Sequence, residues 1–439
     1  MAPPPSTEPF HLAIVGGGIT GLTLAIALYQ RNIPFTLYES AAHFGEIGAG
    51  VGFGPNTVHA LELLSPQIKE AYLRCITHQW GELQDVWFST RVGDGRKAGA
   101  DGTFVYRGRP GTKLDEKLFS VAYSHLEGLE GVGGVHRAHF LDQLVHLIPP
   151  SVARFGKRLA NITKASDSED VVLHFTDGTT ARHTAVLGCD GIKSTTREIL
   201  LGSDKYNAVF SGKCAYRGLV PMEKALEVLD AEAAMNSQLY LGYHGHILTF
   251  PINAGKTMNV VAFASRDEWT NPQWVVHTSK EAMAADFRTW GPTAKSIIAI
   301  LEHQDIWALF DMPPAPTYYG TDPRICLVGD AAHASTPHQG AGAGMGIEDC
   351  YILSSLLGEA HSARDLDRVF EAYDAVRRPR TQKLVTTSRE AGMLWDLELE
   401  GDDLDAVERN MRSRMRWIWE VDLPAELETA RAYLLRLSK

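Results

Sequence analysis

Cysteine is scarce in this chain. Its five cysteines, Cys75, Cys189, Cys214, Cys326 and Cys350, are odd in number and far apart. No Cys-x-x-Cys pair occurs, so neither a zinc site nor a disulfide framework is expected, and no metal ligand set is assigned. A reducing, cytoplasmic setting follows as the expectation. Positive charge is also short. Lys and Arg number 42 against 53 Asp and Glu, a net charge of −11, which argues against a nucleic-acid surface. No apolar run reaches the roughly 18–20 residues that span a bilayer, so no membrane partner is expected. Met1 to Phe10 lacks the basic start and apolar core of a secretion signal. No internal repeat of solenoid period occurs.

The bulk composition is that of a soluble globular protein, with 44% hydrophobic and 22% charged residues. A chain of 439 residues is too long for one ordinary core, and two or three domains are expected.

Against this background one stretch stands out. Leu12-Ala13-Ile14-Val15 is an apolar run that stops at three glycines, and Leu22, Leu24, Ala25, Ile26 and Leu28 follow as an apolar-rich helix. Gly16, Gly18 and Gly21 fall in G-x-G-x-x-G register. The first allows a sharp turn, the second admits a pyrophosphate to the backbone, and the third lets helix pack on strand. The helix N-terminus offers free N–H groups to phosphate. A second apolar run, Phe35-Thr36-Leu37-Tyr38, ends in Glu39, 18 residues past Gly21, where a carboxylate accepts from ribose hydroxyls. With 40 glycines in the chain the motif alone is weak; strand, helix and acid in place make it a dinucleotide fingerprint. It does not distinguish NAD from FAD. No second such unit is evident.

Two further glycine-dense elements follow. Glu46-Ile47-Gly48-Ala49-Gly50-Val51-Gly52-Phe53-Gly54 suits backbone laid against a flat or phosphorylated ligand, or a plain loop. Asn56 to Leu64 then reads as a helix, and a helix is expected to open at Val135-His136-Arg137. Arg137 is either a cofactor contact or a solvated side chain. Ala185-Val186-Leu187-Gly188-Cys189-Asp190-Gly191 is a buried strand ending in Asp190, an acid placed for a ligand, for a helix N-cap, or for both. Residues 209–264 read as a β-rich block, and 280–309 return to helical spacing. Ile325-Cys326-Leu327-Val328-Gly329-Asp330 is another buried strand that delivers Asp330 to its carboxyl end. The small-residue loop Pro337 to Gly346 follows, with a helix opening near Met345. Such a loop, including Gly342, Ala343 and Gly344, suits an aromatic ring over backbone amides near a helix dipole. Met411, Met415, Ile418 and Trp419 mark an amphipathic packing face.

Gly16-x-Gly18-x-x-Gly21 with Glu39, then Asp190-Gly191, then Gly329-Asp330 with Ala331-Ala332-His333, in this order, resemble the single-component FAD-dependent aromatic hydroxylases. The resemblance spans about residues 10 to 390. It looks closest to the fungal salicylate hydroxylases in Ser335-Thr336-Pro337-His338-Gln339-Gly340-Ala341-Gly342 and Phe250-Pro251-Ile252. It implies an α/β fold: a Rossmann-like FAD-binding domain of the para-hydroxybenzoate hydroxylase type, a β-sheet substrate domain and C-terminal helices. The corresponding division is 1–80, 126–200 and 316–365 for FAD, 81–125 and 201–315 for substrate, and 366–439 for the helices. The resemblance also implies FAD held by Glu39 on the ribose, backbone near Gly52, Arg137, Asp330 on the ribityl chain and Ala343 near the ring. NADH or NADPH would bind transiently, and a hydroperoxyflavin would pass oxygen to a phenol. Arg217, in Tyr216-Arg217-Gly218-Leu219, resembles the arginine of a sister group that dearomatises phenols, but Phe250 stands at that group's tyrosine position.

The chemistry needs phenolate character, a base or cation near neutral pH, and exclusion of water. His338 is a candidate base, or a structural histidine. A substrate carboxylate would need a guanidinium, Arg217 or Arg266, and the sequence does not choose; Arg266 also reads as a surface ion pair. Tyr243 and Phe250 complete the candidate substrate contacts. His244 and His246 have metal-like spacing but no third ligand nearby. Three readings stand: decarboxylative hydroxylation of salicylate to catechol, hydroxylation or dearomatisation of a larger polyketide-type phenol, and a flavin-bearing scaffold or redox sensor. The expected partners are a small phenol and O2, with the protein a monomer or homodimer.

Overall fold

Leu12–Val15 is apolar without alternation because both its faces are covered: all four residues are buried, between the parallel strands Phe35–Tyr38 and Ala185–Gly188. The computed structural model describes residues 10–44, 50–97, 103–123 and 131–437. The expectations for residues 1–9, for Glu46 to Ala49 and for residues 98–102 lie outside the described residues. The six-stranded sheet runs in the order Ala153–Arg154, Phe35–Tyr38, Leu12–Val15, Ala185–Gly188, Arg324–Leu327, Tyr319–Thr321, parallel except for the last pair. Four stretches remote in sequence therefore bring Gly16, Glu39, Asp190 and Asp330 to one sheet edge, at the carboxyl ends of parallel strands.

The second large sheet has eight strands, in the order Val275–His277, Asp305–Asp311, Val209–Pro221, Thr257–Ser265, Gly245–Ile252, Gln238–Gly242, Val86–Val92, Lys117–Ala122. Its two faces alternate along each strand as strand geometry requires. Tyr216, Ile247, Val260 and Ala262 turn to a separate core with Met283, Phe287 and Ile297. Arg217, Leu248, Val261 and Phe263 turn to a cavity. Behind these sheets lies the 30-residue helix Leu366–Trp395, followed by Leu404–Arg414, Arg416–Trp419 and Leu423–Leu437.

Several local expectations are corrected. Gly50–Phe53 is a strand rather than a loop, paired with Gly133–His136. Val135 and His136 belong to that strand, and the helix begins at Arg137. Val135 is fully buried opposite Val51 and Ile76, and this long-range pairing overrides the local helical spacing. Helical structure in 280–309 ends at Ala299, and Asp305–Asp311 is a strand. The helix expected near Met345 starts earlier, at Gly342.

Candidate active site

Two cavities meet at the sheet edge and share Gly50, Val51, Arg217, Asp330 and Ala343 in their walls. The first is a cleft along the fingerprint. Gly16 has φ +103°, and a Cβ there would stand 2.3 Å from the Cys189 carbonyl oxygen, so only glycine fits. A Cβ on Gly21 would meet the Gly16 carbonyl oxygen at 1.9 Å; it is a packing glycine. Gly18 faces open space instead, with no atom within 4 Å of a Cβ, and the same holds for Gly52. Glu39 is pinned at the cleft by N–H donors from Gly17 and Ala41, each at 2.7 Å. The helix Ile19–Gln30 carries no side-chain cap and no acid in its first turn, leaving its N–H groups to the cleft. Arg137 and Lys193 line the same cleft.

Asp190 is placed at the cleft, and the N-cap of the helix that follows it is Ser194 rather than Asp190. Asp190 accepts from Ser194 Oγ at 2.5 Å and from Thr196 N–H at 2.9 Å at the start of Thr195–Leu201. Burial pushes its carboxyl up. Asp330 is exposed in the shared wall, after Gly329 at φ +63°, where a Cβ would strike Thr20 Oγ1 at 2.6 Å. Gly342 and Ala343 open a helix with no side-chain cap and no acid in its first turn. Gly344 does not reach either cavity: a Cβ there would meet Thr57 Oγ1 at 2.1 Å, so it packs helix on helix. An adenine dinucleotide with a flat ring fits these features: phosphate-ready helix N-termini, open glycine backbone, a carboxylate for ribose and a small-residue turn at the inner end.

A charge network missed in the sequence holds this edge. Arg377 is fully buried and donates to Asp349 Oδ1 and Glu348 Oε2, each at 2.8 Å, and to Glu426 at 3.0 Å. Asp349 Oδ2 accepts from Gly329 N–H at 3.1 Å and bonds His333 Nε2 at 2.6 Å. Glu348 also takes Asn56 Nδ2 at 2.7 Å. Burial pushes the Asp349 carboxyl up, but His333 and Arg377 outweigh it and hold it well below the carboxylate range. The Gly329-Asp330 turn is thus fixed to the helix beneath it and to the C-terminal helices.

The second cavity, about 290 Å3, has aromatic walls: Trp87, Phe88, Tyr123, Phe250, Phe263, Trp395 and Trp419. Trp419, read from sequence as packing, therefore also faces the cavity. Phe250 lies against Gly50, where a Cβ would meet its ring at 2.6 Å. Arg217 sits in the shared wall, its guanidinium 5.4 Å from the Trp307 ring centre. Burial and the nearby Arg137 lower its pKa, and among the described residues no carboxylate is ion-paired with it.

His338 lines the cavity but is not a base that titrates near neutrality. It is 2% exposed, and burial, then the neighbouring His246, push its pKa well below 6.5. Two other candidates are set aside. Arg266 bonds Asp286 at 2.5 Å, beyond both cavities, and is the ion pair of the alternative reading. Tyr243 bonds Asp402 at 3.1 Å, with Lys97 4.7 Å from its ring centre, and reaches neither cavity. His246 bonds Asp396 and His244 bonds Glu398, rather than pairing on a metal.

The sequence pattern of the FAD binding domain family matches residues 149–388, and that of the NAD(P)-binding Rossmann-like domain matches 14–51. A 6-methylsalicylate 1-monooxygenase from Aspergillus terreus is 40% identical over 422 residues, 94% of this chain and 89% of that one. A salicylate hydroxylase from Pseudomonas putida is 39% identical over 442 residues, 97% of this chain and 95% of that one. The solved structure of a salicylate hydroxylase substrate complex superposes with a TM-score of 0.80 at 34% identity, covering 97% of this chain and 98% of that one. With its dinucleotide cleft opening into an aromatic cavity, the chain belongs to the FAD-dependent aromatic monooxygenases.

Proposed function

We propose that the chain hydroxylates a small phenol bearing an ortho carboxylate, of the salicylate class, with loss of CO2 to give a catechol. The observation that carries this reading is Arg217: a cation without a carboxylate partner among the described residues, in the wall common to the cofactor cleft and the aromatic cavity. A guanidinium there matches a carboxylate or phenolate bidentately. The names of the Aspergillus and Pseudomonas relatives support the substrate class.

Bound FAD supplies the redox chemistry, carrying electrons from NAD(P)H to O2 and oxygen to the ring. Glu39, Asp330 and the glycine turns hold it. Arg217 orients the ring and stabilises the phenolate that makes it electron-rich. The aromatic walls exclude water, which otherwise diverts the oxygen to peroxide. His338 acts as a neutral hydrogen-bonding ring. We place the protein in a reducing compartment, in keeping with its five free cysteines. The test is NADH or NADPH oxidation by the holoenzyme across a panel of salicylates and the same phenols without the carboxylate. Stimulation confined to the carboxylated set, with catechol as product, supports the reading. Equal stimulation by uncarboxylated phenols such as alkylated resorcinols replaces it with hydroxylation of a larger phenol.

A further inference from the structure

The cavity extends well past a single benzene ring, and its two ends differ in chemistry. Arg217 marks one end, in the wall shared with the cofactor cleft. From Arg217 the strand pairing runs through Val261, Leu248 and Leu239 to Thr90. That is four strand spacings, roughly 19 Å along the sheet. The strand Val86–Val92 therefore closes the opposite end, where Trp87, Phe88, Tyr123, Trp395 and Trp419 form the wall. A phenol whose carboxylate sits at Arg217 covers less than half of that span.

Trp87 does not reach this end by regular strand geometry. Phe88 shares the face of Thr90, whereas Arg91 lies on the other face and donates to Gln238 Oε1 at 2.9 Å. Strict alternation would send Trp87 to the face of Ser89 and Arg91. Yet Trp87 lines the cavity beside Phe88. A β-bulge re-aims it: Val86 opposes Ala122 and Phe88 opposes Val121, so Trp87 is the extra residue between them. Bulges of this kind are over-represented beside active sites, where they redirect a side chain. One side chain holds the bulge. Gln79 Nε2 donates to Val86 O at 3.1 Å and to Trp87 O at 3.2 Å, and Gln79 Oε1 accepts from Ser237 N–H at 2.8 Å. The Gln79 amide is thus engaged at both its nitrogen and its oxygen, although it stands in the cavity wall. The Trp87 ring centre lies 4.3 Å from that of Phe88, 5.4 Å from that of Trp419 and 6.2 Å from that of Trp395.

We propose that Trp87 is a specificity-determining residue, and that the preferred substrate is a salicylate carrying an apolar substituent on the ring edge away from its carboxylate. The inference rests on the salicylate reading and narrows it. With the carboxylate at Arg217, the carboxyl-bearing carbon lies toward the cofactor cleft and the far ring edge points toward the strand Val86–Val92. A substituent there is buried among aromatic rings, which is worth about fourfold in binding per methylene. The Trp87 indole ends that space and so sets the longest substituent accepted. Gln79 is a positioning residue that acts through Trp87.

The test measures KM and kcat of the FAD-loaded protein with NAD(P)H, for salicylate and for its 4- and 5-alkyl derivatives from methyl to hexyl. In the wild type KM falls about three- to fourfold with each early methylene and rises again once the chain meets the indole, while kcat changes little. Trp87→Ala moves that turning point to longer chains, and Trp87→Phe moves it by less. Gln79→Ala raises KM more for the alkylated compounds than for salicylate. Flavin content checks the fold of each variant, and where Trp87→Ala is recovered without flavin, Trp87→Phe decides. A flat KM series in the wild type, with salicylate still converted to catechol, overturns the inference and leaves the substrate reading intact. One turning point common to the wild type and both Trp87 variants overturns the assignment of Trp87. If no carboxylated phenol stimulates NAD(P)H oxidation, the substrate reading falls and this inference with it.

Discussion

In the proposed reaction Arg217 would bear the recognition of charge in the cavity, and its removal is the sharpest test at the scale of one residue. Hydrogen bonds to charged groups are worth about 1.5–3 kcal/mol, so Arg217→Ala raises KM for salicylates roughly 10- to 100-fold. Arg217→Lys recovers only part of this, because a point charge replaces a planar fork. Steady-state kinetics on carboxylated and uncarboxylated phenols checks both, and an equal loss on the two sets contradicts the assignment. Histidines set a second expectation. Burial pushes His183 down to about 4, and His338 is also held well below its ordinary value. The folded state keeps these rings neutral where the unfolded chain protonates them. Their contribution to stability is thus complete above about pH 6.5 and is lost as pH falls toward 4. A second loss follows at lower pH, as Asp349 and Asp396, held low in the fold, take up protons. Melting temperatures measured from pH 8 to 4 should therefore begin to fall already between pH 6.5 and 5; a flat profile there contradicts the buried neutral rings.

At the scale of elements, the turn after Leu12–Val15 separates two uses of glycine. Gly16→Ala forces a Cβ onto the Cys189 carbonyl at a positive φ and costs roughly 1–3 kcal/mol or more, so the variant is recovered in low yield without flavin. Gly18→Ala meets nothing in the protein, so the apoprotein melts as the wild type does while FAD affinity falls. These roles were readable in the sequence because turn chemistry is local: strand, glycine register and Glu39 lie within one short stretch. Asp190 and Asp330 were readable for the same reason, each ending an unbroken apolar run. What escaped is non-local. Val135 and His136 look helical beside Arg137, and only pairing with Gly50–Phe53 makes them strand. Arg377, Glu348, Asp349 and Glu426 leave no periodic mark, since ion pairs between distant helices have no spacing rule. Removing one partner of such a buried network strands the others, and Arg377→Met should destabilise the protein by about 3–5 kcal/mol. Denaturant melts give the magnitude, and early loss of flavin during the melt reports that the Gly329-Asp330 turn has loosened.

The whole molecule is a meeting of two sheets: one presents its strand ends to a dinucleotide, and the other presents one face to an aromatic-walled cavity. Arg217 and Asp330 stand where the two open into each other. Among the described residues no helix is long and apolar enough to cross a membrane. Trp419 was legible as packing on a helix, but its place in the cavity wall, beside Trp395, appears only when the C-terminal helices fold back over the cavity. The central claim is that the oxygen delivered in this cavity enters the ring at the carboxyl-bearing carbon. Salicylate labelled with 13C in its carboxyl group tests it most directly, with labelled CO2 counted against NAD(P)H oxidised by the flavin-loaded protein. The account predicts labelled CO2 in step with NAD(P)H consumption and a catechol as the other product. Label retained in a hydroxylated acid, or NAD(P)H consumed with peroxide as the sole product, would contradict it.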